Sequence, residues 1–463
     1  MLLISHLSLP AYFKKSIRSR NIFMRVMKFG GTSVGTPERM HHIMSLMTQG
    51  KEPAIVVLSA LAGTTNALVE IGDHLSKGDR NSAKLAIDKL EIHYQSFIID
   101  LVKKQKSIAK AKAIVAEHFE FLNIILKISF SEALSKDILA QGELLSTKLF
   151  SAFLEDKGID HLLLPALEFM SIDSHDEPQV SSIRTKLSRL LKKYKDKQLF
   201  ITQGYICRNA KGEVDNLKRG GSDYSASLIA AAIHASVCEI WTDIDGMHNN
   251  DPRVVKKTIP IEQLSFEEAA ELAYFGAKIL HPSSIWPAQQ YKIPVKLLNT
   301  MKPEAKGTLI TEKAGSVGVK AVAAKDNIIA IRIKSSRMLL AYGFLRKIFE
   351  VFEKYRTPID MITTSEVAVS LTIDNPAKLK EILKELEPFG SIEIDEKQAI
   401  ISVVGNEIAK TEGVVKKLFG SIRNIPVRMV SYGGSPHNIS LLVPASYKTK
   451  ILQQLNKGMF GLE

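Results

Sequence analysis

Lys28-Phe29-Gly30-Gly31-Thr32-Ser33-Val34-Gly35 closes a short apolar run over 26–29 and opens a helical pattern. Strand, glycine turn and helix in that order begin an α/β unit. Without Cβ atoms, the two glycines let the main chain approach an anion closely, and N–H groups at the next helix start add partial positive charge. Lys28 supplies a full charge. The stretch reads as a phosphate-handling turn, although on its own it reads equally as a plain strand-to-helix connection.

Working outward, 54–59 (Ala-Ile-Val-Val-Leu-Ser) reads as a second buried strand, with helical pattern between the two. Residues 79–126 are rich in Lys and Glu, with apolar positions at helical spacing and almost no Gly or Pro, which predicts a helical excursion. Strand-like runs return at 161–165, 199–202, 239–242 and 294–298, each followed by turn residues and a helical pattern. This predicts a large, mostly parallel sheet with helices on both faces.

The pattern breaks over 311–318, and a linker is expected at 313–326. Beyond it the chain repeats itself. Gly343-Phe344-Leu345-Arg346-Lys347-Ile348-Phe349 aligns with Gly413-Val414-Val415-Lys416-Lys417-Leu418-Phe419, and Pro358-Ile359-Asp360-Met361-Ile362 with Pro426-Val427-Arg428-Met429-Val430. Two small β-α-β modules are expected, at 327–395 and 396–463, as a sensing or a dimerisation platform.

Composition narrows the function classes. At 463 residues and 45% hydrophobic content the chain can bury a large core. The net charge of +13 suggests nucleic acid at first sight, but the lysines spread over helical stretches such as 103–112 and 186–197, without interleaved aromatics to stack bases. A solvated basic surface that attracts small anions is the better reading, with no nucleic-acid partner. Cys207 and Cys238 have neither CxxC spacing nor clustered histidines, so no disulfide framework or zinc site is expected and a reducing cytoplasm fits. The longest uncharged stretch, 224–238, is too short to span a bilayer, so no membrane segment is expected. Residues 1–23 carry four basic residues and no acid, with the apolar run ahead of the charges, and are expected to be a tail outside the fold.

Further polar constellations sit at predicted strand and helix ends. Lys218-Arg219-Gly220-Gly221-Ser222-Asp223 precedes an Ala-rich helix; Arg219 suits a carboxylate and Asp223 an ammonium, while Asp223 read alone is an ordinary N-cap. Trp241-Thr242-Asp243-Ile244-Asp245-Gly246 ends a strand where α/β sheets bind nucleotides, and Asn250-Asp251-Pro252-Arg253 follows. Phe275-Gly276-Ala277-Lys278-Ile279-Leu280-His281-Pro282 adds a lysine at a helix terminus. Ser59 to Asn66 caps the second strand with hydroxyls, and Gln141-Gly142-Glu143 offers a lone carboxylate.

Together, in this order, Lys-Phe-Gly-Gly-Thr-Ser, Gln-Gly-Glu, Arg-Gly-Gly-Ser-Asp, Thr-Asp-x-x-Gly with Asp-Pro-Arg, and Phe-Gly-Ala-Lys-x-Leu-His-Pro resemble the aspartokinases of the amino acid kinase superfamily. The resemblance runs from about Met24 onward. It implies an amino acid kinase-like αβα sandwich over 24–312 and two ACT (βαββαβ, ferredoxin-like) modules behind it. It also implies transfer of phosphate from ATP, with Mg2+, to the side-chain carboxylate of L-aspartate, the entry to lysine, threonine and methionine.

By the same resemblance, Lys28, Asp243 and Lys278 form the catalytic group. ATP is held by Lys28, Gly30, Gly31, Ser33, Thr242, Asp243, His248, Arg253 and Lys278. Aspartate is held by Ser59, Thr65, Glu143, Arg219, Gly220, Gly221, Ser222 and Asp223. No general base is assigned, since a carboxylate is already a nucleophile. His248 departs from the family pattern, which often has tyrosine there. Met338, Gly343, Phe344, Leu345, Asp360, Ser365, Glu366 and Val367 resemble the effector edge of lysine-inhibited members, with threonine the rival effector. A homodimer through the ACT modules is implied, or a tetramer, with no fused homoserine dehydrogenase. The competing readings are a kinase of glutamate or acetylglutamate and a silent amino-acid sensor; the free-ammonium acceptor and the intact Lys28, Asp243 and Lys278 argue against them.

Overall fold

The computed structural model describes residues 24–50, 52–217, 220–276, 280–313, 315–335 and 342–463. The tail expected at 1–23 lies outside them, as do Arg219, Lys278 and Met338.

Strand β1 (Arg25–Phe29) has apolar residues pointing both ways because both of its faces are covered. Alternation sends Val26 into one core and Met27 and Phe29 into another on the opposite face. Helix α1 (Pro37–Thr48) follows, started by the Thr36 side chain, which accepts from the Arg39 amide, and by a proline in the first turn. The fully buried β2 (Ala54–Leu58) lies parallel to β1, Val57 opposite Lys28.

The helical excursion is longer than the expected 79–126 at both ends. It comprises α2 (Thr64–Ser76), α3 (Arg80–Leu101), α4 (Gln105–Ile125) and α5 (Glu132–Asp156). Its last helix returns alongside β2 and brings Glu143 back to the sheet. Then come β3 (Leu162–Leu164), α6 (Val180–Lys193), β4 (Leu199–Gln203), the hairpin β5 (Ile206–Arg208) with β6 (Val214–Asn216), α7 (Gly221–Ile233) and β7 (Val237–Thr242). The region closes with β8 (Gln263–Ser265), α8 (Phe266–Tyr274), α9 (Pro282–Gln290), β9 (Val295–Asn299) and β10 (Thr308–Thr311).

Apart from the separate β5–β6 hairpin, these strands form one sheet in the order β3-β4-β2-β1-β7-β9-β10-β8, parallel from β3 to β9 and reversed only where β10 meets β9. The strand order switches at β1, so the carboxyl ends of β2, β1 and β7 open on one crevice, the usual ligand position in such sheets.

The C-terminal part holds β11 (Gly318–Lys334), α10 (Phe344–Lys354), β12 (Ile362–Thr364), β13 (Ala368–Ile373), α11 (Leu379–Leu386), β14 (Ser391–Asn406), α12 (Val414–Ser421), β15 (Met429–Tyr432), β16 (Asn438–Pro444) and α13 (Lys448–Phe460). Its sheet runs β12-β13-β11-β14-β16-β15. The long strands β11 and β14 pair antiparallel from Gly318 opposite Asn406 to Lys334 opposite Ser391, with register shifts around Lys325 and Ile328.

Two repeats are present, but they are not consecutive. The second halves of β11 and the first of β14 enclose one unit, whose core joins Ile329, Ile331 and Ile333 to Ile348, Val369 and Leu371. The other unit packs Ile401 and Val403 with Leu418, Leu441 and Leu455, and takes Val322 of the first half of β11 as part of its core. The expected linker at 313–326 therefore carries a strand from Gly318 on, and the expected boundary at 395/396 falls inside β14. The Gly-Ser signal at Gly315 and Ser316 marks only a short turn; the Val-Lys-Ala-Val-Ala run after it is too small in bulk to announce a strand by pattern alone.

Gly276 locks the two parts together. It has φ of +126°, and a Cβ there would come within 2.1 Å of the Ala324 carbonyl oxygen on β11. Gly276→Ala is expected to cost about 2 kcal/mol or more. Urea unfolding checks this: the midpoint should fall while the slope stays unchanged.

Candidate active site

The turn after β1 is tight: the amides of Ser33 and Val34 donate to the Gly30 carbonyl at 2.9 and 3.2 Å. At Gly31 a Cβ would meet the Ala60 carbonyl at 3.1 Å, so the turn lies directly against the loop after β2. Lys28 folds back over it. Its Nζ lies 2.6 Å from Asp223 Oδ1, the two side chains only 12% and 16% exposed. Ser33, also buried, shares a 2.9 Å hydrogen bond with the Thr300 hydroxyl, and the Thr300 amide donates to the Thr242 carbonyl at 2.7 Å. The ends of β1, β7 and β9 are thus tied at one point. Thr300 was not singled out from sequence, because a Thr after a strand carries no signal until the strand order places it beside Ser33.

Asp223 is not the N-cap of α7. Gly220 holds that position at φ of +70°, contributing no side chain, and Gly221 follows at +46°. No side chain caps the start of α7, where the Asp223 and Tyr224 amides donate to the Gly220 carbonyl at 3.0 and 3.4 Å, and Asp223, inside that turn, faces Lys28. A Cβ on Gly220 would also come within 2.6 Å of Ser284 Cβ on α9, so the turn requires glycine twice over.

On the other side of β1, the Ser59 hydroxyl donates to Ser222 Oγ at 2.9 Å, and the Ser59 carbonyl accepts from Ser146 Oγ at 2.9 Å. Glu143, one helical turn before Thr147 on α5, is 4% exposed and accepts from the Ala60 amide at 3.3 Å. Burial pushes its carboxyl up to about 7, an effect only partly offset by the hydrogen bond from Ala60. Thr65 lies exposed in the first turn of α2, while its neighbour Thr64 is buried against the Tyr94 hydroxyl at 2.9 Å. Ser146 and Tyr94 hydrogen-bond to the 59–66 loop; both sit at helical spacing that sequence alone reads as packing.

Across the crevice the Thr242 hydroxyl donates to Asp243 Oδ1 at 3.1 Å, and Asp243 is exposed. The loop beyond folds on itself. His248 places Nδ1 2.7 Å from Thr258 Oγ1 and Nε2 2.8 Å from Asp245 Oδ1, which holds the Asp245 carboxyl below its ordinary value. Arg253, with its side chain 76% exposed, forks onto Asp251 through Nε at 2.9 Å and Nη2 at 2.8 Å. Among the described residues, no group of three or more His, Cys, Asp or Glu side chains is placed to hold a metal, and no helix is long and apolar enough to cross a membrane.

The residues expected at an effector edge are less uniform. Gly343 caps α10 at φ of +78°, and Phe344 turns into the core, edge-on to Phe389. Leu345, Ser365, Glu366 and Val367 are exposed. Asp360 is engaged: its Oδ1 meets Lys325 Nζ at 2.6 Å and accepts from the Tyr274 hydroxyl at 2.6 Å. It lines a cavity of 260 Å³ between α8 and the C-terminal sheet, together with Glu271, Tyr274, Ser431 and Asn438.

Residues 24–299 match the amino acid kinase family, and residues 401–459 match an ACT domain family. Lysine-sensitive aspartokinase 3 of Escherichia coli is 34% identical over 94% of this chain and 99% of its own length; the chloroplastic aspartokinase 1 of Arabidopsis thaliana is 33% identical over 94% and 80%. The crystal structure of E. coli aspartokinase III with aspartate and ADP, in the R state, superposes with a TM-score of 0.81 at 32% identity, covering 94% of this chain and all of that one. Its T-state complex with lysine and aspartate gives 0.78 at 33% identity, over 94% and 99%. The chain belongs to the amino acid kinase family, and within it to the aspartokinases.

Glu143 sets a pH dependence. Folded, it binds its proton up to about pH 7, whereas its ordinary value is 4.5. Between those values the folded form holds the extra proton, so stability is fully kept below 4.5 and falls as pH rises through 7. In Glu143→Gln that decline should flatten, which thermal melts taken from about pH 5 to 8 will read.

Proposed function

We propose that this aspartokinase transfers the γ-phosphoryl group of Mg-ATP to the side-chain carboxylate of L-aspartate, giving 4-phospho-L-aspartate and ADP, and that lysine inhibits it. The observation that carries the reading is the buried Lys28–Asp223 pair at 2.6 Å, set between the glycine turn of β1 and the glycine-capped N-terminus of α7. The acceptor carboxylate needs no base. What the reaction needs is two mutually repelling anions held in line while transition-state charge is neutralised.

In this reading Lys28, the turn amides at Gly30, Gly31 and Ser33, and Lys278 take the phosphates. Asp243, Thr242, His248 and Arg253 frame the nucleotide, and magnesium would come with ATP and supply further neutralisation of phosphate charge. Arg219 grips the aspartate α-carboxylate; Glu143 and Asp223 face its ammonium, with Ser59, Thr65 and Ser222 beside them. Once phosphate draws Lys28 toward it, Asp223 is freed for the substrate ammonium.

Residues 24–312 form the catalytic unit in this proposal. The regulatory unit begins at the strand Gly318–Lys334, and its two modules pair across a cytoplasmic homodimer. Lysine is read at the first module, its side-chain ammonium meeting Glu366 or displacing Lys325 from Asp360.

A hydroxamate assay with ATP, Mg2+ and aspartate, glutamate or acetylglutamate tests the substrate. Aspartate should be the acceptor used, and Lys28→Ala should lower kcat by about 100-fold or more. Activity that survives the substitution would remove Lys28 from its role, and no turnover with any acceptor would favour a silent sensor. Lysine at millimolar concentration should depress activity and raise the melting temperature; threonine acting instead would transfer the effector assignment.

A further inference from the structure

The loop that follows β7 is built into the C-terminal sheet. Three asparagines lock it there, all nearly inaccessible: Asn249 and Asn250 on the loop at 3% exposure each, and Asn456 on α13 at 2%. The Asn456 Oδ1 accepts from Asn249 Nδ2 at 3.2 Å and from Asn250 Nδ2 at 3.4 Å, while its Nδ2 donates to the Lys257 carbonyl at 3.0 Å. Asn250 also donates to the Leu452 carbonyl one helical turn earlier, at 2.9 Å.

The loop spends its own groups on the same contact. Asn249 Oδ1 accepts from the Ile259 amide at 2.6 Å and closes the loop's neck, and the Asn249 carbonyl accepts from the Val322 amide of β11 at 2.8 Å. Val255 belongs to the apolar core of the second repeat, with Ile401, Leu441, Ile451 and Leu455. Between these anchors stand Asp251 and Arg253, joined by the forked hydrogen bond. A buried amide whose donors and acceptor are all used fixes position, because breaking any one bond leaves a desolvated polar group unpaired.

We infer that Asn456 is a positioning residue for nucleotide binding: α13 holds the 245–260 loop in the shape that receives ATP, so the C-terminal helix sets affinity for ATP without touching it. The inference rests on the reading of that loop as part of the nucleotide site. It also gives the C-terminal sheet a hydrogen-bonded route to the nucleotide that stays within one chain.

The full-length enzyme tests this with Asn456→Ala, Val255→Ala and Arg253→Ala, measuring KM for ATP, KM for aspartate, kcat and melting temperature for each. Asn456→Ala should raise KM for ATP about tenfold, the scale expected from losing one or two buried hydrogen bonds, and leave kcat and KM for aspartate within about twofold. A general loss of structure would instead lower kcat and the melting temperature with no selectivity between substrates. If Asn456→Ala does not fold, Val255→Ala loosens the loop's other anchor and carries the same expectation at a few-fold scale. Arg253→Ala separates the two claims: if it raises KM for ATP while folded Asn456→Ala or Val255→Ala leaves it unchanged, the positioning role is overturned. If Arg253→Ala also leaves KM for ATP unchanged, the loop is not part of the nucleotide site and both readings fall.

Discussion

A buried ammonium needs an anion, and the crevice above β1 is organised around that need. Lys28 sits at 12% exposure on a strand paired on both sides, where the backbone cannot move to rehydrate it. Leaving it alone there would be costly, and Asp223 is the partner that permits its burial. To deliver Asp223, α7 must start close to β1, which is why its entry uses two left-handed glycines and not a side-chain cap. The same packing brings Ser222 to Ser59 and seats Gly220 against α9. Under the proposed function the pair is a resting arrangement in which each charge waits for a ligand of the opposite sign.

The central sheet was legible because its strands are buried on both faces and so appear as continuous apolar runs; the expected 199–202 and 294–298 differ from the observed strands by a residue or so at an end. The last two strands on the far side, β10 and β8, were not, being short and half polar. Of the site, the glycine turns and charged motifs could be read from residue type and order. Thr300, Ser146 and Asn456 could not, since hydroxyls and amides gain their meaning from neighbours 267, 87 and 207 positions away. The repeat was visible, but its boundaries were misjudged, because alignment of sequence blocks assumes that each unit is continuous.

The contact between the two parts of the chain joins apolar packing, in which Leu272 and Phe275 share a core with Ala323, Ile400 and Leu442, to a set of particular polar bonds. Lys320 of β11 reaches the fully buried Glu268 of α8 at 2.9 Å, Asn438 donates to Glu271 at 2.7 Å, and Lys325 lies over the Tyr274 ring at 4.3 Å while bonding Asp360. Each of these bonds has one good geometry, so the junction has few intermediate states and suits a unit that adopts discrete arrangements. Asp360, expected to await a ligand, already holds a lysine from its own chain.

The divided second repeat has a consequence for how the protein is made. Residues 318–325 leave the ribosome early and find no strand to pair with, because their partner, 398–406, is still more than seventy positions away. In that interval the first repeat can close completely on its own core. Only when the chain has grown past it does the waiting strand acquire its neighbour, drawing the newly made helix α13 toward the catalytic half. Within this region assembly therefore runs from the inside outward, and α13, made after the strands it covers, clasps the loop made two hundred residues before.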